Sequence, residues 1–379
     1  MRALLAAAAI AAACCAAGSA TAAGNGAGPP NVDARAWLVM NPVTGEVLAE
    51  HDARYQVPIA SITKLMTMIV VLEHLKLTDV VHVDPRAAAV GQESIYLRAG
   101  QELTVADLVK GSMIQSANDA ADALALATAP SYPAFAAMMN AKAKQLGLTD
   151  SHFVRPDGLD APGEYSSARD VTRLALAAMR LAPVRQAVDE VTATIADGQT
   201  LHTWDDLLGV FPGVFGVKTG HTDGARWGQV SAVRGGGTTI YATILGSPSR
   251  ARRNADLEKL LAYGIAQYRR VDPVVLGKSY AMVKLPYGRK PLPLVARGQL
   301  HAVVRVGEPL TERVFATSVA SLPVRQGQVL GHVQVWSRGK LLGERPLVAS
   351  RAVAKPSLLG RAGWYAGRTV DNVVGIFTP

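Results

Sequence analysis

Ile59-Ala60-Ser61-Ile62-Thr63-Lys64-Leu65-Met66-Thr67-Met68-Ile69-Val70 sets a hydroxyl and an amine three residues apart at the head of an apolar run. If a helix starts at Ser61, both side chains project to one side of it, within hydrogen-bonding reach. Leu65 to Leu72 is apolar almost all round, the pattern of a helix enclosed by its own domain. That burial matters for Lys64. An ammonium withdrawn from water loses its proton more readily, and a neutral amine can take the hydroxyl proton of Ser61. The pair alone is a weak signal, because average residue usage gives roughly one Ser-x-x-Lys match in a chain of this size. Ser337-Arg338-Gly339-Lys340 is such a second match, in what reads as a hairpin turn.

A chain of 379 residues with 49% hydrophobic content can form two domains and a large core, which excludes a disordered or fibrous protein. Met1-Arg2, the Ala/Leu/Ile run from Leu4 to Ala13 and Ala20-Thr21-Ala22 before Ala23 have the three parts of a secretory signal peptide. The run is too short and too rich in alanine for a spanning helix. Residues 1–22 are therefore expected to be a cleaved signal, followed by a Gly/Pro/Asn-rich linker over 23–33. Both cysteines, Cys14 and Cys15, fall inside the signal, so the mature chain has no disulfide, thiol nucleophile or cysteine ligand. A lipidated cysteine is disfavoured, since Ala11-Ala12-Ala13 lacks the usual leucine. The formal charge of +9 becomes +8 when the signal takes Arg2 with it. A basic exported protein suits an anionic membrane surface or polymer. A nucleic-acid partner is not expected, because no aromatic-plus-basic motif accompanies the charge.

Ala36 to Met40 and Glu46 to Glu50, separated by Asn41-Pro42-Val43-Thr44-Gly45, read as strand, turn and strand. The Ser61 helix follows, and Arg86 to Gly100 is less regular. Thr104, with Asp107 three residues on, caps a helix that ends at Ser116-Ala117-Asn118, before a further helix from Asp119 to Ala127. Ser116 and Asn118 thus sit at a break, where side chains two apart can face one cleft. Pro133 to Leu146 reads as an amphipathic helix stopped by Gly147, and Ser166 or Ser167 caps another running to about Leu181. Asp170 falls in its first turn, where a carboxylate is favourable. Three strand patterns come next, from Val214 to Gly220, Trp227 to Val233 and Thr238 to Leu245, and then a helix from Arg252 to Tyr268. Five strands around an all-helical middle predict an α+β fold, a five-stranded antiparallel sheet packed with a helical cluster, over 34–271. Short Val/Leu runs between Gly and Pro turns predict a small all-β domain over 272–354, with Val329 to Trp336 and Leu341 to Val348 as its last hairpin. Residues 355–379 carry Leu359, Ala362, Ala366, Val370, Val373 and Phe377 at near-helical spacing with Trp364 and Tyr365, an amphipathic segment able to lie in a membrane interface or on its own domain. Four glycines there weaken its helix propensity.

Three elements now stand in order: Ser61-x-x-Lys64, Ser116-x-Asn118 and Lys218-Thr219-Gly220. The set is that of penicillin-binding proteins and class A β-lactamases, which more often have Asp in the middle of the second motif. Over nearly its whole length the chain resembles the penicillin-binding D-alanyl-D-alanine carboxypeptidases. The resemblance is carried by Pro58 to Thr67, Ser116 to Ala121, Asp157-Gly158-Leu159, Tyr165 to Asp170 and Gly216 to Thr222. Members of that family have a signal peptide, a catalytic domain, a β-rich second domain and a membrane-binding terminal helix in this order.

The resemblance implies that Ser61 attacks the carbonyl between two terminal D-alanines of a peptidoglycan stem pentapeptide, and that β-lactam antibiotics acylate it. Lys64 is then the base, Ser116 relays the proton to the leaving amine, and Asn118 fixes the substrate amide and Lys64. Lys218 adds positive potential that favours neutral Lys64. Thr219 holds the terminal carboxylate beside Gly220, and the backbone N–H groups of Ser61 and His221 form the oxyanion hole. Arg253 matches the family's carboxylate-binding arginine, with Arg250 and Arg252 as rivals. A further arginine found upstream in some relatives is replaced by Leu201-His202-Thr203-Trp204-Asp205. The implied location is the periplasmic face of the bacterial inner membrane, and no cofactor is implied.

Rival readings are a class A-like β-lactamase, an esterase and a non-catalytic cell-envelope binding module. The first needs a carboxylate to activate the deacylating water, and Glu164 is the only nearby candidate. The full set of nucleophile, base and oxyanion elements argues against a mere binding cleft. No metal site is expected, because the eight histidines show no HExxH or comparable spacing; His74 and His152 read as structural.

Overall fold

The computed structural model describes residues 28–366. The expected signal over 1–22 and the last part of the terminal segment, 367–379, lie outside them. Strands β1 (Ala36–Met40) and β2 (Val47–His51) form the opening hairpin. A single 3₁₀ turn, Ala60–Thr63, leads into helix α1 (Lys64–His74). Strands β3 (Val80–His82) and β4 (Glu102–Thr104) pair across an excursion containing the one-turn α2 (Pro85–Ala88). The cluster continues with α3 (Val105–Met113), α4 (Asn118–Thr128), α5 (Tyr132–Leu146), α6 (Ala168–Ala178) and α7 (Ala182–Val188).

A small hairpin, β5 (Thr192–Thr194) and β6 (Thr200–His202), precedes three long strands, β7 (Val214–Thr222), β8 (Arg226–Gly235) and β9 (Thr238–Ser247). They join the first hairpin in one antiparallel sheet of order β2-β1-β9-β8-β7, the five strands that the sequence pattern predicts. Helix α8 (Arg250–Ala266) packs on the sheet's outer face. The two minor hairpins leave no clear pattern, because three-residue strands are too short to show alternation.

Both faces of the sheet are covered, which explains why β1 is buried along its length and does not alternate with polar residues. Ala36 and Leu38 face the helical cluster, whereas Trp37 and Val39 join Leu257, Leu260 and Leu261 of α8. Local signals close the helices: the Thr104 hydroxyl accepts from the Asp107 amide at 3.1 Å and that of Ser167 from Asp170 at 3.2 Å. Gly147 ends α5 at φ +68°, the left-handed cap that glycine adopts without a Cβ penalty.

The change to an all-β pattern comes directly after α8. Strand β10 (Tyr268–Val274) pairs with β13 (Leu300–Arg305). Strands β11 (Ser279–Val283), β12 (Leu292–Ala296), β14 (Thr311–Ala316), β15 (Val329–Ser337) and β16 (Lys340–Ala349) form a second five-stranded sheet over its own core. Ser337 and Lys340 are cross-strand partners at the β15–β16 tip, and the Ser337 hydroxyl donates to Glu308 at 2.9 Å. Beyond it, residues 358–366 are helical, and Trp364 and Tyr365 meet Tyr287 edge-on at 5.6 and 6.2 Å. This part of the terminal segment therefore has apolar contacts on its own domain, while Leu358 and Leu359 are exposed.

The spacing between α8 and the sheet depends on Gly264, where an added Cβ would lie 2.5 Å from Ile240 Cγ2 and 3.0 Å from Val39 Cγ1. Gly264→Ala should gain about 1 kcal/mol of helix propensity and lose about 1–3 kcal/mol to overpacking. The expected result is a melting temperature lower by a few degrees; a raised one would show that this glycine does not set the spacing.

Candidate functional site

Ser61 does not begin an α-helix as the spacing suggests. It lies in the 3₁₀ turn, and the α-helix starts at Lys64. In a 3₁₀ turn residues three apart eclipse one another, so the two side chains are aligned more closely than in an α-helix. Lys64 Nζ donates to Ser61 Oγ at 2.8 Å. The turn needs unusual backbone: Ala60 has φ +50°, and Gly158, at φ +79°, passes so close that a Cβ there would lie 2.2 Å from the Ala60 carbonyl oxygen.

Lys64 has no exposed surface, and three oxygens surround its amine: Ser61 Oγ, Asn118 Oδ1 at 2.7 Å and the Asp157 carbonyl at 2.8 Å. Burial pulls its pKa down to about 8, and the negative charges of Asp157, Asp122, Glu93 and Glu164 limit the fall. An appreciable share of neutral amine at neutral pH follows. Asn118 is oriented from behind, since its Nδ2 donates to the Gly91 carbonyl at 3.0 Å and leaves Oδ1 for Lys64.

Ser116 occupies the expected break between α3 and α4, with φ +63° turning its side chain into the cleft. Lys218 Nζ donates to Ser116 Oγ at 2.8 Å and to the Thr219 carbonyl at 3.2 Å. Lys218 is buried, and desolvation followed by the nearby Lys64 charge pushes its pKa well below that of an ordinary lysine; Arg253 adds to this. Two buried amines thus face the two serines, Lys64 bonding Ser61 and Lys218 bonding Ser116. Lys218, Thr219 and Gly220 lie on β7, the edge strand of the sheet, which carries them to the 3₁₀ turn. At Gly220 a Cβ would lie 2.6 Å from the Ile59 carbonyl oxygen, so close approach of strand and turn requires glycine there. His221 stacks on Trp227 of β8 with ring centroids 3.9 Å apart.

The three candidate arginines separate clearly. Arg252 turns to Asp256 at 2.9 Å and Asp33 at 3.9 Å. Arg250 makes two bonds to Asp206, at 2.7 and 2.5 Å, and its guanidinium lies 5.0 Å from the Trp204 ring centroid. Arg253 is buried, bonded to Asp206 at 3.1 Å and to Asn254 Oδ1, and its guanidinium lies 5.8 Å from the Trp227 ring centroid, the ring on which His221 stacks. Of the three it belongs to the wall beside β7.

Sequence reasoning missed the residues that hold these side chains. The Asp157 carbonyl on Lys64 leaves no sequence signal, since any residue has a carbonyl. Around Arg253, Asn254 is its neighbour on α8, but Asp206 comes from a turn before β7 and Trp227 from β8. Asp122, by contrast, lies four residues after Asn118 and could have been found from helical spacing. Glu164, raised to about 7 by burial, accepts from Thr63 Oγ1 at 2.8 Å and from the Val154 and Arg155 amides at 3.3 and 2.9 Å. Both of its oxygens are engaged in holding the loop behind the turn, which does not favour a role as the base of a β-lactamase. A cavity of about 310 Å³, lined by Ile59, Ala60, Gly158, Leu159, Asp160 and Gly224 among others, adjoins the turn.

The chain is similar to known proteins in sequence and fold. A family model described as D-alanyl-D-alanine carboxypeptidase matches residues 23–249, and one described as Penicillin-binding protein 5, C-terminal domain, matches residues 268–355. D-alanyl-D-alanine carboxypeptidase DacC of Escherichia coli (strain K12) is 32% identical over 357 residues, 88% of this chain and 87% of the relative. DacF of Bacillus subtilis (strain 168) is 30% identical over 344 residues, 86% of this chain and 87% of the relative. Among solved structures, penicillin binding protein 6B from Escherichia coli superposes with a TM-score of 0.64 at 28% identity, covering 86% of this chain and 98% of that one. The Streptomyces K15 DD-transpeptidase gives 0.60 at 32% identity, over 63% of this chain and 100% of that one.

Gly158→Ala tests how the Ser61 turn is held. Its Cβ must push the Ala60 carbonyl aside, and acylation of Ser61 should fall roughly a hundredfold, as expected for displacing a reacting group by about 1 Å. Wild-type acylation rates, read by mass spectrometry, would show that the loop does not position the turn.

Proposed function

This chain belongs to the D-alanyl-D-alanine carboxypeptidase family, and we propose that it removes the terminal D-alanine from peptidoglycan stem pentapeptides through an acyl-enzyme on Ser61. The observation that carries this reading is the meeting of Ser61, Lys64, Ser116, Asn118 and Lys218 from three separate stretches of chain through hydrogen bonds among their side chains. Neutral Lys64 takes the Ser61 proton as Oγ attacks the carbonyl between the two D-alanines. The oxyanion is met by the backbone N–H groups of Ser61 and His221. Ser116, held by Lys218, passes a proton to the nitrogen of the departing D-alanine, and the C–N bond breaks. Water then cleaves the ester and restores Ser61. Asn118 orients the substrate amide, while Thr219, with Gly220 leaving room on the strand, and Arg253 receive the terminal carboxylate that distinguishes a carboxypeptidase substrate. β-Lactam antibiotics enter as acylating agents at the same serine.

We assign an export signal to residues 1–22, a linker to 23–33, the catalytic domain to 34–271, a β-rich domain to 272–354 and an interfacial segment to 355–379. The exported enzyme then works at the periplasmic face of the inner membrane, in peripheral contact with it. The exposed Leu358 and Leu359 support the last part, as does the finding that no helix among the described residues is long and apolar enough to cross a membrane. No observation favours the β-lactamase, esterase or binding-module readings over this one.

Purified protein should release D-alanine from a peptide ending in D-Ala-D-Ala, and penicillin should add one acyl group to Ser61. A mass spectrum without an adduct, or with one on Ser337, would overturn the assignment. Lys64→Ala should slow acylation by roughly a hundredfold to ten-thousandfold with folding retained. Because the base must be neutral and its pKa lies near 8, acylation should fall about tenfold per pH unit below that value; a rate flat from pH 5 to 9 would remove Lys64 from the role. A chain ending at Lys355 should leave membranes without losing peptidase activity, and unchanged membrane partition would count against the interfacial segment.

A further inference from the structure

We propose that Asp122 is a positioning residue for Lys64, a buried carboxyl one helical turn below Asn118 whose charge decides how firmly the amine keeps its proton. Residues four apart on a helix lie on one face, so Asp122 stands directly beneath the side chain that bonds Lys64 Nζ at 2.7 Å. It has no exposed surface. Its Oδ2 accepts from the Tyr132 hydroxyl at 2.8 Å, which ties it to α5, and its Oδ1 has no hydrogen-bond partner among the described residues. An unsatisfied oxygen on a buried carboxyl is expensive, and its retention one helical turn from the residue that bonds a buried amine points to use.

The other charged groups around Lys64 are each accounted for. Asp157 is clamped by Arg155, with Nε at 2.9 Å and Nη2 at 2.5 Å, and by the Leu159 amide. Glu164 is engaged by Thr63 and two backbone amides. Glu93 is exposed and therefore screened. Lys218, on β7, is a buried amine whose pKa is pushed well below that of an ordinary lysine by desolvation and then by Lys64. Among these carboxyls only Asp122 combines full burial with no cation bonded to it. Burial, and then the Asp157 charge, raise its pKa to about 7, just below that of Lys64, while the Tyr132 hydrogen bond favours the ionised form.

The two groups therefore titrate as a pair. Ionised Asp122 holds the ammonium on Lys64 and makes the amine a stronger but scarcer base; neutral Asp122 lets the proton go. Removing the charge must move the acid limb of acylation down the pH scale.

This inference rests on the carboxypeptidase reading, and the experiment separates the two. Asp122→Asn keeps shape and an acceptor for Tyr132 but removes the charge. The acid limb of the penicillin acylation rate should shift to lower pH by about one unit, and Lys64 observed by ¹³Cε NMR should titrate lower by the same amount. Tyr132→Phe, which weakens the ionised form of Asp122, should move both in the same direction by less. A Lys64 titration unmoved or raised in Asp122→Asn overturns the proposal whether or not the protein acylates. If that variant fails to fold, Tyr132→Phe takes its place, and an unmoved or raised Lys64 titration there overturns the proposal equally. A residue that only supports the fold would lower the melting temperature and leave both titrations in place. Absence of any penicillin adduct on the wild type, with Lys64 still shifted in the variant, would sink the carboxypeptidase reading and leave the coupling standing.

Discussion

Two lysine amines withdrawn from water on either side of a serine pair are the constraint on which this structure depends. Lys64 has 0% and Lys218 3% of its surface exposed, and neither makes an ion pair among the described residues. A buried ammonium without a bonded carboxylate is costly, and the protein meets the cost with neutral oxygens: two serine hydroxyls, an asparagine amide and two backbone carbonyls. These oxygens accept a hydrogen bond from either protonation state without fixing the charge. The proton can therefore move, which carboxylate partners would prevent by holding it in place.

The scaffold follows from the need to hold those oxygens. α1 is enclosed by the other helices and keeps Lys64 dry, whereas the edge strand β7 carries Lys218 to it from the far side. The junction is a backbone contact at Gly220 and Gly158, where no side chain fits. Such contacts constrain the turn, because a shift of it would collide with both strand and loop. The sheet in turn is locked by α8, whose first turn also holds Arg253 against Asp206 and near the Trp227 ring of β8. Catalytic geometry and core packing are thus one arrangement.

Around this centre lie carboxyls with distinct states. Asp157 is ion-paired, Glu164 is fully bonded yet raised by burial, and Asp122 has one oxygen bonded and one without a partner among the described residues. Lys64 responds to all of them, but desolvation outweighs their sum, because its pKa falls despite four nearby acids. The pH range in which the amine is neutral is a property of the whole buried compartment.

The sequence by itself determined the three motifs, their order, the helix caps at Thr104 and Ser167, the five strands of the first sheet and the β-rich second part. Each of these rests on spacing or periodicity within a few residues, and local hydrogen bonds and burial patterns act over that range. The tertiary structure decided the rest. That Ser61 sits in a 3₁₀ turn and not at the start of an α-helix depends on Gly158 and Gly220 pressing against Ala60 and Ile59. That Arg253 turns to Asp206, far upstream in the chain, while Arg252 turns to Asp256 is likewise settled only by packing. The Asp157 carbonyl had no sequence signature either, because backbone contacts are created by elements far apart in the chain and exist only once those elements have packed together, whereas the burial of Lys64 was legible in the apolar run that follows it.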